Sequence, residues 1–223
     1  KCRLMRELSQ TSQLPYTLVT GKLNITAATI RSLVDAGLIE VTEENVYRKP
    51  VLKSDLSGKD GTAKQLSAEQ QAVVDAISQD YSQGISQTYL LRGITGSGKT
   101  EVYMALIERM IASGKQAIVL IPEIALTYQT LLRFYLRFGD RVSVMNSRLS
   151  PGERSDQYER AAKGEIDIMI GPRSALFTPF ERLGLVIIDE EHESSYKSET
   201  MPKFHAREVA QELCRMKHAS LLL

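Results

Sequence analysis

The sequence predicts an α/β fold built on a parallel sheet, preceded by a small domain of mixed helix and strand. Three observations predict it. After residue 87, short apolar runs alternate with stretches of helical spacing through the rest of the 223 residues. The runs are nearly unbroken, as expected of strands buried on both faces. Between the first run and the first of these helices lies Gly93-Ile94-Thr95-Gly96-Ser97-Gly98-Lys99-Thr100, a complete G-x-x-x-x-G-K-[ST] loop. Such a loop belongs where a strand hands over to a helix. The length accommodates one full domain plus a small one, and 43% hydrophobic residues is ordinary for a globular chain.

Residues 1–13 form an amino-terminal segment with no assigned pattern. Residues 14–50 read as a winged helix, with a first helix at 16–23, a turn and cap at 24–26, and a second helix at 27–36 that turns Ile30, Leu33 and Val34 inward. Gly37 ends that helix, and strands at 38–41 and 46–48 flank Thr42-Glu43-Glu44-Asn45 as a hairpin-like wing. The second helix offers only Arg31 as a cation, with Asp35 close by and an acidic wing tip. That composition suits a positioning or backbone-contacting module, or plain packing, better than base reading. Residues 51–64 are polar, contain two glycines and show no periodicity, which marks a linker.

The larger domain is expected over 65–223. It opens with a helix capped by Ser67, with Gln70 at the third helical position, a capping box that accounts for Gln70 by itself. A buried strand at 88–92 then leads into the loop, and a helix at 101–113 carries Val102, Ala105, Leu106 and Met110 at helical spacing. The loop needs glycine because its backbone must adopt conformations closed to residues with a Cβ and must turn successive N–H groups around a phosphate. Lys99 adds a charge on the outer phosphates, Thr100 places a hydroxyl on Mg²⁺, and the helix directs its positive end at the anion. The loop therefore points to a nucleoside triphosphate.

Beyond it the pattern gives a strand at 116–121, a helix at 124–138, a strand at 142–145, a helix at 151–163, and strands at 166–171 and 185–189. The last apolar run, 219–223, reads as a strand cut short, as in a piece excised from a longer chain. Val186-Ile187-Ile188-Asp189-Glu190-Glu191-His192 is an apolar strand ending in acids. Alone it could be a solvated acidic turn; paired with the loop, Asp189 is expected to hold Mg²⁺ and Glu190 to orient and polarise the attacking water. In open parallel sheets function gathers at the carboxyl ends of the strands, where Pro122-Glu123, Gly171-Pro172-Arg173-Ser174 and the acids all fall.

A net charge of +1 gives no overall drive toward nucleic acid or membrane, so any such contact must be local. Cys2 and Cys214 are too few and too far apart for a metal site and read as two free thiols in a reducing compartment. The chain opens at Lys1, shows no signal peptide, and has no apolar run approaching the roughly 20 residues a membrane span needs. A soluble, cytoplasmic protein is expected.

Five segments carry a specific resemblance: Gly-Ile-Thr-Gly-Ser-Gly-Lys-Thr-Glu-Val-Tyr (93–103), Leu-Ile-Pro-Glu-Ile-Ala-Leu-Thr (120–127), Ile-Gly-Pro-Arg-Ser-Ala-Leu-Phe (170–177), Asp-Glu-Glu-His-Glu-Ser-Ser-Tyr-Lys (189–197) and Phe-His-Ala-Arg-Glu-Val-Ala (204–210). In this order they closely resemble the first-lobe motifs of the PriA family of bacterial primosomal replication-restart helicases, and the winged helix before them matches too. The likeness covers all but about the first dozen residues. Its Glu-Val-Tyr and Ser-Tyr-Lys elements separate it from DEAD-box proteins and restriction translocases.

The resemblance implies a RecA-like P-loop lobe of a superfamily 2 enzyme, an ATP-dependent DNA helicase that moves 3′ to 5′ on single-stranded DNA and helps reload the replicative helicase at abandoned forks. ATP or ADP with Mg²⁺ would be its cofactors. Single-stranded and forked DNA, single-strand-binding protein and helicase-loading proteins would be its partners, with a monomer expected. The family's domain for the 3′ end of the nascent strand, its zinc-binding cysteines, its second lobe with the arginine finger and its carboxyl-terminal domain have no counterpart in this sequence. No zinc, and little hydrolysis by this piece alone, are therefore expected.

Residue by residue, the resemblance implies that Gln70 hydrogen-bonds both edges of adenine, a task its paired amide donor and acceptor suit. It implies that Gly93, Thr95, Gly96, Ser97, Gly98, Lys99 and Thr100 surround the phosphates. Residues 195–207 correspond to an aromatic-rich loop that couples DNA to the ATP site, with His192 beside it. Tyr196 and Phe204 would stack on bases or couple the sites, among the cations Lys197 and Arg207, each stacked base being worth about 1–3 kcal/mol. Thr127 and Arg173 would hold phosphates of the tracking strand. The plain alternatives are ordinary packing for the aromatics, a structural histidine, a solvated arginine and a helix-surface threonine. A non-helicase P-loop switch would have no use for the Gln70 helix, the Arg173 segment or the aromatic loop. A winged-helix transcription regulator would bind one duplex sequence tightly.

Overall fold

The computed structural model describes residues 4, 5, 7, 8, 14, 16–21, 23, 25–41, 65–94, 96–147 and 149–223, without the side chains of 17 and 18. The chain divides into two compact units, Lys1–Val46 and Tyr47–Leu223.

In the first unit, α1 spans Tyr16–Gly21 and α2 spans Ala27–Asp35. The Thr26 side chain accepts from Thr29 N and caps α2, satisfying one of its free amides. Leu4, Val19, Ile30 and Leu33 form a small buried cluster. Leu4 is 2% exposed within this cluster. Two expectations, for Val34 and for a strand at 38–41, are corrected here. Val34 turns outward, 38% exposed, because Ile30 and Leu33 already define the inward stripe and the next residue lies about a third of a turn away. No strand forms at Leu38–Val41, and both end residues are exposed. The rest of the expected wing at 42–48 and the linker at 51–64 lie outside the described residues.

In the second unit, β1 (Thr88–Tyr89), β2 (Gln116–Leu120), β3 (Val142–Val144), β4 (Ile168–Gly171), β5 (Leu183–Ile188) and β6 (Ser220–Leu222) form one sheet in the order β1-β6-β5-β2-β4-β3. Every pairing is parallel. Five helices cover it: α3 (Ala68–Ser82), α4 (Lys99–Ala112), α5 (Tyr128–Phe138), α6 (Pro151–Ala162) and α7 (Ala206–Lys217).

Alternate residues of each strand enter opposite cores, as the period of two requires. Ala117, Val119, Leu185 and Ile187 meet Val74 and Ile77 of α3, Leu106 and Ile107 of α4 and Phe134 of α5. Ile118, Leu120, Val186 and Ile188 meet Ala161 of α6 and Ala206, Ala210 and Cys214 of α7. Each fully buried aliphatic side chain contributes about 1.5–3 kcal/mol. Leu106→Ala, at a residue with 0% exposure, should therefore cost about 2–5 kcal/mol. Burial pushes the Cys214 thiol up to about 12, so it is an inert packing group; Cys2 lies outside the described residues.

Two further expectations are adjusted. The strand expected at 88–92 shrinks to two residues, and Leu90 is 73% exposed, because β1 is an edge strand with β6 as its one neighbour. The helix expected from 124 begins at Tyr128, because the Thr127 side chain accepts from Thr130 N and fixes the start there. Before it the chain turns, with Ala125 N donating to the Pro122 carbonyl. The parallel arrangement brings the ends of β1, β2, β4 and β5 to one edge of the sheet.

Candidate nucleotide site and strand-binding edge

The loop between β1 and α4 is built on glycine backbone. Gly96 and Gly98 have φ of +82° and +83°, in the left-handed region that side chains disfavour. A Cβ at Gly98 would also collide with the Gln70 amide. Gln70 does two things at once: its Oε1 accepts from Ser67 N at 2.9 Å, closing the capping box, and its Nε2 donates to the Ser97 carbonyl at 2.9 Å. The first helix is thereby tied to the phosphate loop. Lys99 Nζ donates to the Gly93 carbonyl at 2.7 Å and lies 3.7 Å from Glu190 Oε1. Thr95 lies outside the described residues.

These groups open onto a cavity of about 520 Å³, lined by Gln65, Gln70, Ile94, Gly96, Ser97, Gly98, Lys99, Thr100, Glu101, Arg133, Asp189 and Glu190. The loop and the acids are thus brought together, as expected. Gln65, Glu101 and Arg133 were not expected. Glu101 directly follows the loop motif, but nothing in the spacing links Arg133, on another helix, to it.

Asp189 directly follows β5, with its N–H bonded to the Leu120 carbonyl at 2.9 Å. Two tyrosines reach it from opposite cores. Tyr103 Oη donates to Asp189 Oδ1 at 3.0 Å, and Tyr196 Oη donates to the Asp189 carbonyl at 2.7 Å. Burial raises the Asp189 carboxyl above its usual range; the Tyr103 bond and Lys99 pull it down, and Glu190 pushes it up. A desolvated carboxylate in a cavity that Thr100 also lines fits a hard divalent cation, which takes oxygen ligands. Glu190 has φ of +49°, a conformation costing a non-glycine residue about 1–3 kcal/mol that recurs at active sites. Its carboxylate lies between Lys99 and the exposed His192, whose Nδ1 is 3.8 Å from Glu190 Oε2.

The second edge feature is a cavity of about 290 Å³ lined by Pro122, Glu123, Asn146, Ser147, Arg154, Pro172, Arg173, Ser174, Ser195 and Tyr196. Arg173 Nη1 donates to the carbonyls of Ser195 (2.8 Å) and Lys197 (2.7 Å), which pins the turn carrying Tyr196. Asn146 and Arg154 had no signal of their own in the sequence. Thr127 caps α5 and does not line this cavity.

Tyr196 corrects an expectation. Its ring is 1% exposed and sealed in the core, so no base can stack on it. Phe204 is half-buried and meets Phe177 edge-on, with centroids 5.5 Å apart and planes at 81°. Phe177, 55% exposed, is a surface aromatic that the sequence reading had not singled out, although it closes the Ile-Gly-Pro-Arg-Ser-Ala-Leu-Phe segment. Lys197 is exposed and lies 3.6 Å from Glu199, and Arg207 Nη1 lies 3.2 Å from Glu191 Oε2.

Residues 67–221 match the family model described as DEAD/DEAH box helicase. The chain belongs to the DEAD/DEAH box helicase family. This corrects the expectation that its Glu-Val-Tyr and Ser-Tyr-Lys elements set it apart from DEAD-box proteins. Such a helicase domain implies nucleotide and Mg²⁺ use in general terms. Individual relatives narrow the likeness. The chain is 46% identical to the Replication restart protein PriA of Bacillus subtilis over 89% of its length and 24% of that protein's. It is 41% identical to the Replication restart protein PriA of Chlamydia pneumoniae over 87% of its length and 25% of that protein's. It therefore spans about a quarter of the curated relatives it matches. The helicase fold also resembles a RecG protein bound to a three-way DNA junction, with a TM-score of 0.54 and 23% identity over 72% of this chain and 21% of that one. Among the described residues no helix is long and apolar enough to cross a membrane, and no cluster of three or more His, Cys, Asp or Glu side chains could hold a metal. The Mg²⁺ position suggested by Thr100 and Asp189 would need nucleotide oxygens to complete it.

Proposed function

We propose that this chain is the nucleotide-binding first lobe, with a preceding winged helix, of an ATP-dependent DNA helicase of replication restart. The division follows the sequence: winged helix at 14–50, linker at 51–64 and helicase lobe at 65–223. One observation carries the reading. The nucleotide cavity and the edge cavity are linked by a short hydrogen-bonded path, from Arg173 through the Ser195 and Lys197 carbonyls to the turn holding Tyr196, and from the Tyr196 hydroxyl to Asp189. A strand seated against Arg173 would act on the same turn that positions Asp189.

The loop amides and Lys99 hold the phosphates of ATP or ADP, and the capped helix presents Gln70 to the adenine once its Nε2 leaves Ser97. Thr100 and Asp189 would hold Mg²⁺, which would supply positive charge to the phosphates. Glu190 orients the attacking water. Arg173, Thr127, Lys197 and Arg207 contact the DNA backbone; Phe204 contacts bases; His192 and Tyr196 couple the two sites. In the complete protein, 3′ to 5′ movement on single-stranded and forked DNA, exchange with single-strand-binding and helicase-loading proteins, a monomeric state and a cytoplasmic location complete the proposal.

Calorimetric titration of the chain with Mg²⁺ and ADP tests it. The wild type should bind and Lys99→Ala should not; a folded wild type without binding at millimolar ADP would overturn the reading. The second lobe would supply the arginine finger, worth about 10³–10⁵ in rate in related enzymes. The chain alone should therefore hydrolyse ATP barely above background. Glu190→Gln should abolish turnover in the two-lobe protein while ATP still binds.

A further inference from the structure

Arg133 lies on α5, is 45% exposed at its side chain, and lines the nucleotide cavity although it belongs to none of the loop or acid motifs. Its Nη2 contacts Glu101 Oε1. Glu101 has a second partner, because Arg137 Nη1 donates to its Oε2 at 3.2 Å. Arg137 is itself fixed: its side chain is 9% exposed, and its Nε and Nη2 grip both oxygens of Glu108 at 2.6 and 2.8 Å. Glu101 would therefore stay paired if Arg133 let go, and Arg133 can swing away without leaving that carboxylate unpaired.

The charge balance of the cavity gives that mobility a use. Glu101, Asp189 and Glu190 face Lys99 and Arg133, an excess of carboxylate in a space meant for a polyanion. Lys99 is committed to the end of the cavity near Glu190, at 3.7 Å. Arg133 makes no ion pair with Asp189 or Glu190 and stands instead with Glu101, the residue directly after Thr100 in the first turn of α4. We propose that Arg133 is a second nucleotide-binding cation, which leaves Glu101 to engage the α-phosphate and ribose end of a bound nucleoside diphosphate or triphosphate. A guanidinium suits the task because its planar fork donates to two oxygens at once and its charge is permanent.

This proposal rests on the nucleotide reading of the cavity, and the experiment separates the two. ADP with Mg²⁺, and inorganic pyrophosphate with Mg²⁺, are titrated by calorimetry into the wild-type chain, Arg133→Ala, Arg133→Lys and Lys99→Ala, with thermal melts confirming that each variant folds. Arg133→Ala should weaken ADP about fifteen- to a hundredfold, within the range of a charge-assisted hydrogen bond, and leave pyrophosphate within twofold. Arg133→Lys should recover part of the ADP loss. Lys99→Ala should lose both ligands. ADP affinity within twofold of wild type in Arg133→Ala, or equal losses for ADP and pyrophosphate, would overturn the role of Arg133 with the nucleotide site left standing. Failure of the wild type to bind ADP would remove the site itself, and this role with it.

Discussion

The hydroxyl of Tyr103 donates to the carboxylate of Asp189 at 3.0 Å, across from the loop that carries Lys99. Burial and the charge of Asp189 push the Tyr103 phenol far above its usual range, so it remains a donor at every physiological pH. The Glu-Val-Tyr that follows the phosphate loop thus orients the acid at the end of β5. Tyr103→Phe should leave Mg²⁺-free ADP binding unchanged and raise the Mg²⁺ concentration needed for tight ADP binding severalfold. An unchanged Mg²⁺ dependence would show that the bond has no part in positioning Asp189.

Asp189 should cost the ligand-free protein stability at neutral pH. Burial raises its carboxyl above the unfolded value of 3.8, so the folded state binds the proton more tightly than the unfolded state does. Its contribution to stability is therefore greatest at low pH and is lost as pH rises through the folded-state pKa. Asp189→Asn should raise Tm by a few degrees at pH 7 without nucleotide, with the gain shrinking as pH approaches 4. A neutral-pH Tm at or below that of the parent would contradict this.

Removing the Tyr196 hydroxyl should separate binding from coupling. Tyr196→Ala would open a core cavity at a cost of about 3–5 kcal/mol, which would confuse the result, whereas Tyr196→Phe removes only the bond to the Asp189 carbonyl. In the two-lobe protein the phenylalanine variant should keep ADP affinity and lose most DNA stimulation of hydrolysis. Stimulation equal to the parent's would reject the coupling path.

Base contact should fall on Phe204 and Phe177 rather than on Tyr196. Their edge-on pair leaves Phe177 55% exposed, and stacking of one base is worth about 1–3 kcal/mol. Phe177→Ala and Phe204→Ala should each weaken single-stranded DNA binding by about five- to a hundredfold at fixed salt, with nucleotide affinity intact. Fluorescence anisotropy with a labelled oligonucleotide would measure this, and unchanged affinity in both variants would remove the pair from the DNA surface.

What was legible in the sequence follows from how local each cause is. The phosphate loop, the Ser67–Gln70 capping box and the β5 acids are written in contiguous residues, and the structure forms each of them. The parallel sheet was legible because strands such as β2 and β5 are buried at every position and apolar at nearly all of them, Gln116 of β2 being the exception. Side chains that meet from distant elements were not. Tyr196 looked like a member of an exposed aromatic loop, yet it is buried in the same core cluster as Ala206, Ala210 and Cys214 of α7. Arg133 gave no signal because its link to the cavity depends on how α5 lies against α4. Val34 was misplaced by a single position, since periodicity in so short a helix does not fix the width of its apolar stripe.

The seat of the phosphate loop also has a history in time. Among the described residues β1 pairs with β6 alone, and Leu91 N bonds to the carbonyl of Leu223. The loop leaves the ribosome long before the strand that anchors it. Until β6 slides between β1 and β5, the β1 end of the loop has no pairing in the sheet, and a nascent chain carrying the whole loop motif has an incomplete cradle for a nucleotide. Closing so distant a pairing is slow compared with forming local helices. Nucleotide capture should therefore follow the docking of β6, and ligand present during synthesis would select chains in which that strand has found its slot.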